Sequence, residues 1–138
     1  MTHERTAGAD ALAKTHFRGL FDARVYNYGD YNILVAEGLG ARSQETFLLG
    51  YRPSPREILV CPLGDSPVVQ ISEMDVSVAA VDATDRTVGI ITTNGLALEF
   101  SLEDVASAPV GPALAVLNQS DDVADFLAFM QVLARDAA

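Results

Sequence analysis

The chain predicts an α+β fold, mainly antiparallel β, with about seven strands between a short N-terminal helix and a C-terminal amphipathic helix. Three observations carry this. The segments VVQIS, DVSVAAVD, RTVGIITT and LALEFSL follow one another between Val68 and Leu102, each bounded by turn-forming residues. Asn94-Gly95 lies between the last two with alternating residues on both sides, which is a strong hairpin signal. After Ser120 the period changes, and apolar residues recur at intervals of three and four.

In chain order, residues 1–9 lack periodicity and are expected to be flexible, leaving 10–138 as one domain. Asp10 is placed to cap a first helix whose apolar stripe is Leu12, His16, Phe17 and Leu20. The run Tyr26-Asn27-Tyr28-Gly29-Asp30-Tyr31 is aromatic, polar and turn-like at once. Strands are expected over Tyr31–Glu37, Thr46–Tyr51 and Glu57–Leu63. Pro53-Ser54-Pro55 interrupts pairing, because proline has no donor and restricts the residue before it, so Arg52 and Arg56 flank a loop at the sheet rim. Gly64-Asp65-Ser66-Pro67 and Asp82-Ala83-Thr84-Asp85 form the next turns.

A type I′ turn at Asn94-Gly95 sets Thr93 opposite Leu96, Ile91 opposite Leu98 and Gly89 opposite Phe100. The core side of that ribbon then carries Ile91, Leu96, Leu98 and Phe100. The other side carries Val88 and Ile90 among polar neighbours, and self-association is expected through exposed strand edges or through this face. Pro109 and Pro112 argue against a regular element from Glu103 to Pro112, and Ala113–Leu117 fits a strand or a helical turn. Ser120 caps the last helix, with Asp121 and Asp122 near its positive end. Val123, Phe126, Leu127, Met130 and Leu133 form one stripe that must close over the sheet or over a second copy.

Composition narrows the function. A net charge of −10 argues against nucleic acid and anionic membranes, and the nine basic residues, Lys14 and arginines scattered from Arg5 to Arg135, form no stripe. Cys61 is the one cysteine, set in the apolar run Ile58-Leu59-Val60-Cys61, so it reads as a buried thiol in a reducing compartment. The polar N-terminus and the lack of a long apolar stretch lead us to expect a cytoplasmic protein without membrane insertion.

His3, His16 and Cys61 have no metal-ligand spacing, and His16 reads as a histidine at the core edge. There is no Gly-x-Ser-x-Gly elbow, P-loop or Gly-x-Gly-x-x-Gly. The paired carboxylates Asp82/Asp85, Glu103/Asp104 and Asp121/Asp122 sit at turns, strand ends or caps. No catalytic constellation, metal or cofactor is therefore expected. The residues kept as a contact surface are Tyr26, Tyr28 and Tyr31, whose rings combine apolar area with a polar tip, together with Arg52 and Arg56.

The segments VVQISEMDVSVAAVDATDRTVGIITTNGLALEFSLED and DDVADFLAFMQVL resemble the second half of bacterial pleckstrin-homology-like and GRAM-like domains. The resemblance spans roughly residues 31 to 135 and implies two nearly orthogonal sheets in a partly open barrel, one corner plugged by Val123, Phe126, Leu127 and Met130. Family members that bind phosphoinositides carry several basic residues on the first strands and their loop. Here Gly38–Glu45 offers Arg42 alone, between Glu37 and Glu45, so no phosphoinositide site is expected. The expected function is a non-catalytic binding or assembly module that contacts a protein partner or a second copy. The alternative is a small acidic dimeric chaperone or adaptor for a secreted or unfolded partner.

Overall fold

The computed structural model describes residues 13–25, 31–40, 43, 45–63, 67–110 and 113–137. The expectations placed on residues 1–12, including the Asp10 cap and Leu12, lie outside them, as do Tyr26, Tyr28, Arg42 and Pro112. Helix α1 covers 13–22. Among the described residues nine strands follow: β1 (Asn32–Gly38), β2 (Thr46–Pro53), β3 (Arg56–Pro62), β4 (Val69–Ser72), β5 (Val76–Asp82), β6 (Thr87–Thr92), β7 (Ala97–Ser101), β8 (Val105–Val110) and β9 (Ala113–Asn118). Helix α2 (Ser120–Ala137) ends the described chain. The architecture is α+β and mostly antiparallel: a seven-stranded sheet in the order β4-β3-β2-β1-β7-β6-β5, and a separate β8-β9 ribbon.

The strand order bends the sheet. β4 and β5 are its two edges, yet only the 3₁₀ turn Glu73–Asp75 joins them. The step from Ser72 to Val76 reaches at most about 14 Å, whereas a flat seven-stranded sheet is roughly 29 Å across. The sheet must therefore curl until its edges approach. They do not pair.

Helix α2 packs mainly along β5 and approaches β1. Its Phe129 and Leu133 meet Ile58, Ile71 and Val76 where β3, β4 and β5 converge. Val123, Phe126, Leu127, Phe129, Met130 and Leu133 are buried as one stripe, and Phe126 and Met130 are fully enclosed. They share a core with Leu34, Phe47, Leu49, Tyr51, Val88, Ile90, Leu98 and Phe100 from the inner face of the sheet. A second core lies on the outer face of β1–β3, where α1 supplies Ala13, Phe17 and Phe21 against Val35, Leu48, Leu59 and Cys61. The α1 stripe is thus Ala13, Phe17 and Phe21 at four-residue spacing, and Leu20 is left 38% exposed, which corrects the expected stripe by one residue. Both faces of β1–β3 are covered, which explains the near-continuous burial of β2 and β3.

Register brings the main correction. Val88 lies opposite Phe100, Gly89 opposite Glu99, Ile90 opposite Leu98 and Ile91 opposite Ala97, one residue from the expected pairing. The turn is not type I′, since only Gly95 has positive φ (91°) and Asn94 does not. Gly95 N–H donates to the Thr92 carbonyl at 3.0 Å and Thr92 N–H to that of Leu96 at 2.9 Å, closing a three-residue loop, a type I turn followed by a glycine bulge. One added loop residue flips every β6 side chain to the other face. Val88 and Ile90 are core residues at 2% and 1% exposure, and Ile91 is 43% exposed, so the self-association face expected at Val88 and Ile90 is not on the surface.

The prolines bring a second correction, since Pro53 and Pro109 lie within strands, while the break between Arg52 and Arg56 is retained. Pro53 pairs with Arg56, so β2 and β3 run up to a two-residue connection holding a cis Ser54-Pro55 bond. Pro109 lies in β8 opposite Leu114. A strand with one partner turns half its N–H groups away from that partner, which lets such a ribbon take a proline.

Gln119, 1% exposed, ties α2 to the sheet. Its Nε2 donates to the Val35 carbonyl at 2.8 Å and to the Glu103 carbonyl at 2.7 Å, and its Oε1 accepts from Val35 N–H at 2.8 Å. β1 pairs with β7 only at Glu37–Ser101 and Gly38–Phe100, so the side-chain amide continues the ladder at Val35 where β7 has diverged. Gln119 also occupies the helix cap, because its carbonyl accepts the first helical bond from Val123 N–H at 2.8 Å; Ser120 is the first helical residue and not the cap. Asn118 Oδ1 accepts from Ser120 N–H at 3.2 Å.

Gln119→Leu keeps the bulk but strands both Val35 backbone groups, and is expected to lower the unfolding free energy by about 3 kcal/mol, measured by urea denaturation; a loss under about 0.5 kcal/mol would show that water replaces the amide. Gly50 gives a second test. A Cβ there would stand 2.5 Å from Phe21 Cζ, so Gly50→Ala should be destabilising alone and much less so with Phe21→Leu.

Candidate functional site

Two regions are candidates for the site. The first is a polar cleft of about 440 Å³ on the outer face, lined by Arg24, Tyr31, Arg52, Glu57 and Gln70. Alternation along β2 and β3 turns Arg52 and Glu57, which are register partners, to the side that carries Leu59 and Cys61. Glu57 is 8% exposed and its carboxylate is shared three ways. Tyr31 Oη donates to Oε1, while Arg52 Nη2 at 3.2 Å and Gln70 Nε2 at 3.0 Å donate to Oε2. The Arg52 guanidinium also stands 5.2 Å from the Tyr31 ring centroid. Three donors from three parts of the chain converge on one nearly enclosed carboxylate, so this network fixes the β2–β3–β4 end of the sheet as well as shaping the cleft. Arg24 closes one side by donating Nη1 to the Pro62 carbonyl.

Of the expected contact residues, the structure brings Tyr31 and Arg52 together and sends Arg56 elsewhere. Neighbours on a strand face opposite ways. Arg56 Nε reaches Glu73 at 2.7 Å and Nη1 reaches Asp136 at 2.5 Å, pinning the end of α2 to β3 and to the 3₁₀ turn. Asp136 and then Glu73 hold its guanidinium above its ordinary pKa.

The second region is the outer face of β5–β7, which α1 does not cover. Its register forms three rows: Val78–Ile91–Ala97, Ala80–Gly89–Glu99 and Asp82–Thr87–Ser101. The first row is wholly apolar, with Val78 at 48% and Ile91 at 43% exposure, and the last is polar. The rows line a shallow trough of about 340 Å³. Gly89 forms its floor; a Cβ there would meet only Glu99 Cγ and the Leu98 carbonyl, both at 3.8 Å. Sequence reasoning missed this face through the register error, although a glycine between Val88 and Ile90 is itself a sign of close approach by something else. It also missed Glu57, Gln70 and Gln119, and nothing local marks Gln119.

Cys61 and His16 are the thiol and the imidazole among the described residues. Cys61 is buried beneath α1, and burial pushes its thiol up to about 11. His16 is half-buried with its ring 5.5 Å from that of Phe17. Among the described residues no three His, Cys, Asp or Glu side chains converge as metal ligands, and no helix is long and apolar enough to cross a membrane. Compared with known proteins, the chain matches no protein-family model and no curated protein.

The pKa directions give a pH test. Burial raises the Cys61 thiol to about 11 and, with Asp125 and then Asp122, the Tyr51 phenol to about 12. Both groups deprotonate more easily when unfolded, so the unfolded chain binds fewer protons and stability falls as pH rises. The urea midpoint should drop from about pH 9 upward, and Cys61→Ala should flatten the part below the tyrosine range. A midpoint unchanged between pH 8.5 and 11 would contradict this.

Proposed function

We propose that the protein is a non-catalytic binding module of pleckstrin-homology-like shape, whose contact surface is the outer face of β5–β7. The observation that carries the reading is the exposed pair Val78 and Ile91, set with Ala80, Gly89 and Ala97 around a trough. Patches of contiguous apolar surface rimmed by polar groups mark interaction sites. A partly open barrel is supported by the short β4–β5 link, by β1 lying beside β7, and by the burial of Val123, Phe126, Leu127 and Met130 along the seam. The resemblance noted from the sequence leads to the same shape. Tyr31 and Arg52 supply a second, polar contact point at the cleft.

Assembly from copies of the chain is one form of this function. A specific observation favours the other form, a monomeric acidic adaptor for a different chain and not the dimeric chaperone or adaptor expected from the sequence: the net charge of −10 makes like copies repel. Light scattering over rising concentration separates them. Self-association through this face should raise the molar mass of the wild type and not of Ile91→Lys, while a strict monomer removes assembly and leaves the adaptor. Turnover of a substrate by both proteins alike would overturn the binding reading.

A further inference from the structure

The outer surface of the sheet holds two glycines in comparable settings, one covered and one open. Gly50 on β2 lies under α1, whose Phe21 ring fills the space where its side chain would be, with Cζ 2.5 Å from the Cβ position. The fold thus solves an apolar sheet face with a helix that lays an aromatic ring over a glycine. Gly89 on β6 offers the same backbone floor, flanked by Val78, Ala80, Ile91 and Ala97, and the nearest atoms to its Cβ position are 3.8 Å away. The charged side chains lining this trough, Asp82 and Glu99, are both acidic. Arg86, on the adjoining hairpin, is committed to Asp104.

Resting on the proposed contact surface, we propose that its occupant is a segment of another protein that seats an aromatic side chain over Gly89 and brings Lys or Arg to Glu99 and Asp82. The aromatic ring buries the apolar row and the open glycine, as Phe21 does at Gly50. The basic neighbour meets carboxylates at the polar end, which sets direction and speeds encounter. A second copy is the poorer occupant, because it brings the same net negative charge to a face whose own charges are negative.

The test uses the full chain and dye-labelled synthetic peptides that alternate Arg with Phe, Arg with Ala, or Glu with Phe. Binding is read by fluorescence anisotropy and by shifts of the Ile91 and Ala97 amide resonances. The Arg/Phe peptide should bind, weaken as salt rises from about 0.05 to 0.5 M, and lose about tenfold or more in affinity to Gly89→Val. That variant fills the trough from a position with only ordinary contacts, and retained circular dichroism shows that it folds; Gly19→Ala, which meets nothing within 4 Å, is the control. Glu99→Lys should reverse the preference between the Arg/Phe and Glu/Phe peptides. Unchanged binding in Gly89→Val, or equal binding by Arg/Ala, overturns the inference. Equal binding of Glu/Phe at this face, or dimerisation through it, defeats the partner chemistry but leaves the contact surface standing. If none of the three peptides and no second copy shifts Ile91 and Ala97, both the inference and the contact surface fall.

Discussion

A single buried amide sets where the helical and sheet parts of this protein meet. Gln119 satisfies both backbone groups of Val35 at the point where β1 loses β7, and the same residue begins α2. Its main-chain N–H donates to the Asp104 carbonyl at 2.8 Å, so the chain leaving β7 is held at the same place. Unpaired polar groups in a sheet interior cost too much to leave, so the divergence of β1 and β7 is possible only with a substitute partner. Once that partner is the residue before α2, the helix axis has little choice but to run over the inner face toward β5. The stripe from Val123 to Leu133 then meets the strands it must cover.

The fold consequently treats its two surfaces unequally. The inner face packs against α2, with Tyr51 ring contacts to Phe126 and Phe129, both at 5.1 Å between centroids. The outer face is covered by α1 only over β1–β3. Polar anchoring follows the same division, since the Glu57 network secures the covered end, while the β5–β7 end is held by hairpin turns and inward burial. Asp82 Oδ1 accepts from Thr84 and Asp85 N–H, both at 3.0 Å, and Arg86 takes the left-handed conformation to close that turn.

Element type was largely legible in the sequence, because periodicity records which faces are buried. All seven strands of the main sheet and both helices fall where alternation and three-to-four spacing place them. Register was less so. Asn-Gly serves both a two-residue and a three-residue loop, and the decision rests on what each register buries: Val88 and Ile90 together, or Ile91 with a glycine. The first removes more apolar area from water and is the one observed. Tyr31 and Arg52 were both among the five expected contact residues, but Glu57, which accepts from each of them, was hidden as the polar start of an apolar strand. Gln119 was illegible for a deeper reason. Its partners lie 84 positions away in Val35, and no local pattern encodes a contact of that range.

The clasp between Arg56 and Asp136 carries a consequence for colloidal behaviour. β4 and β5 are the two edge strands of the sheet, the kind of margin that can template fibrous stacking between molecules. α2 lies over the place where those margins converge, and its last turn is fastened at the surface by this exposed ion pair. The final turn of the helix therefore sits where intermolecular β-pairing would begin, so its surface ion pair lies at a sheet margin as well as beside the core.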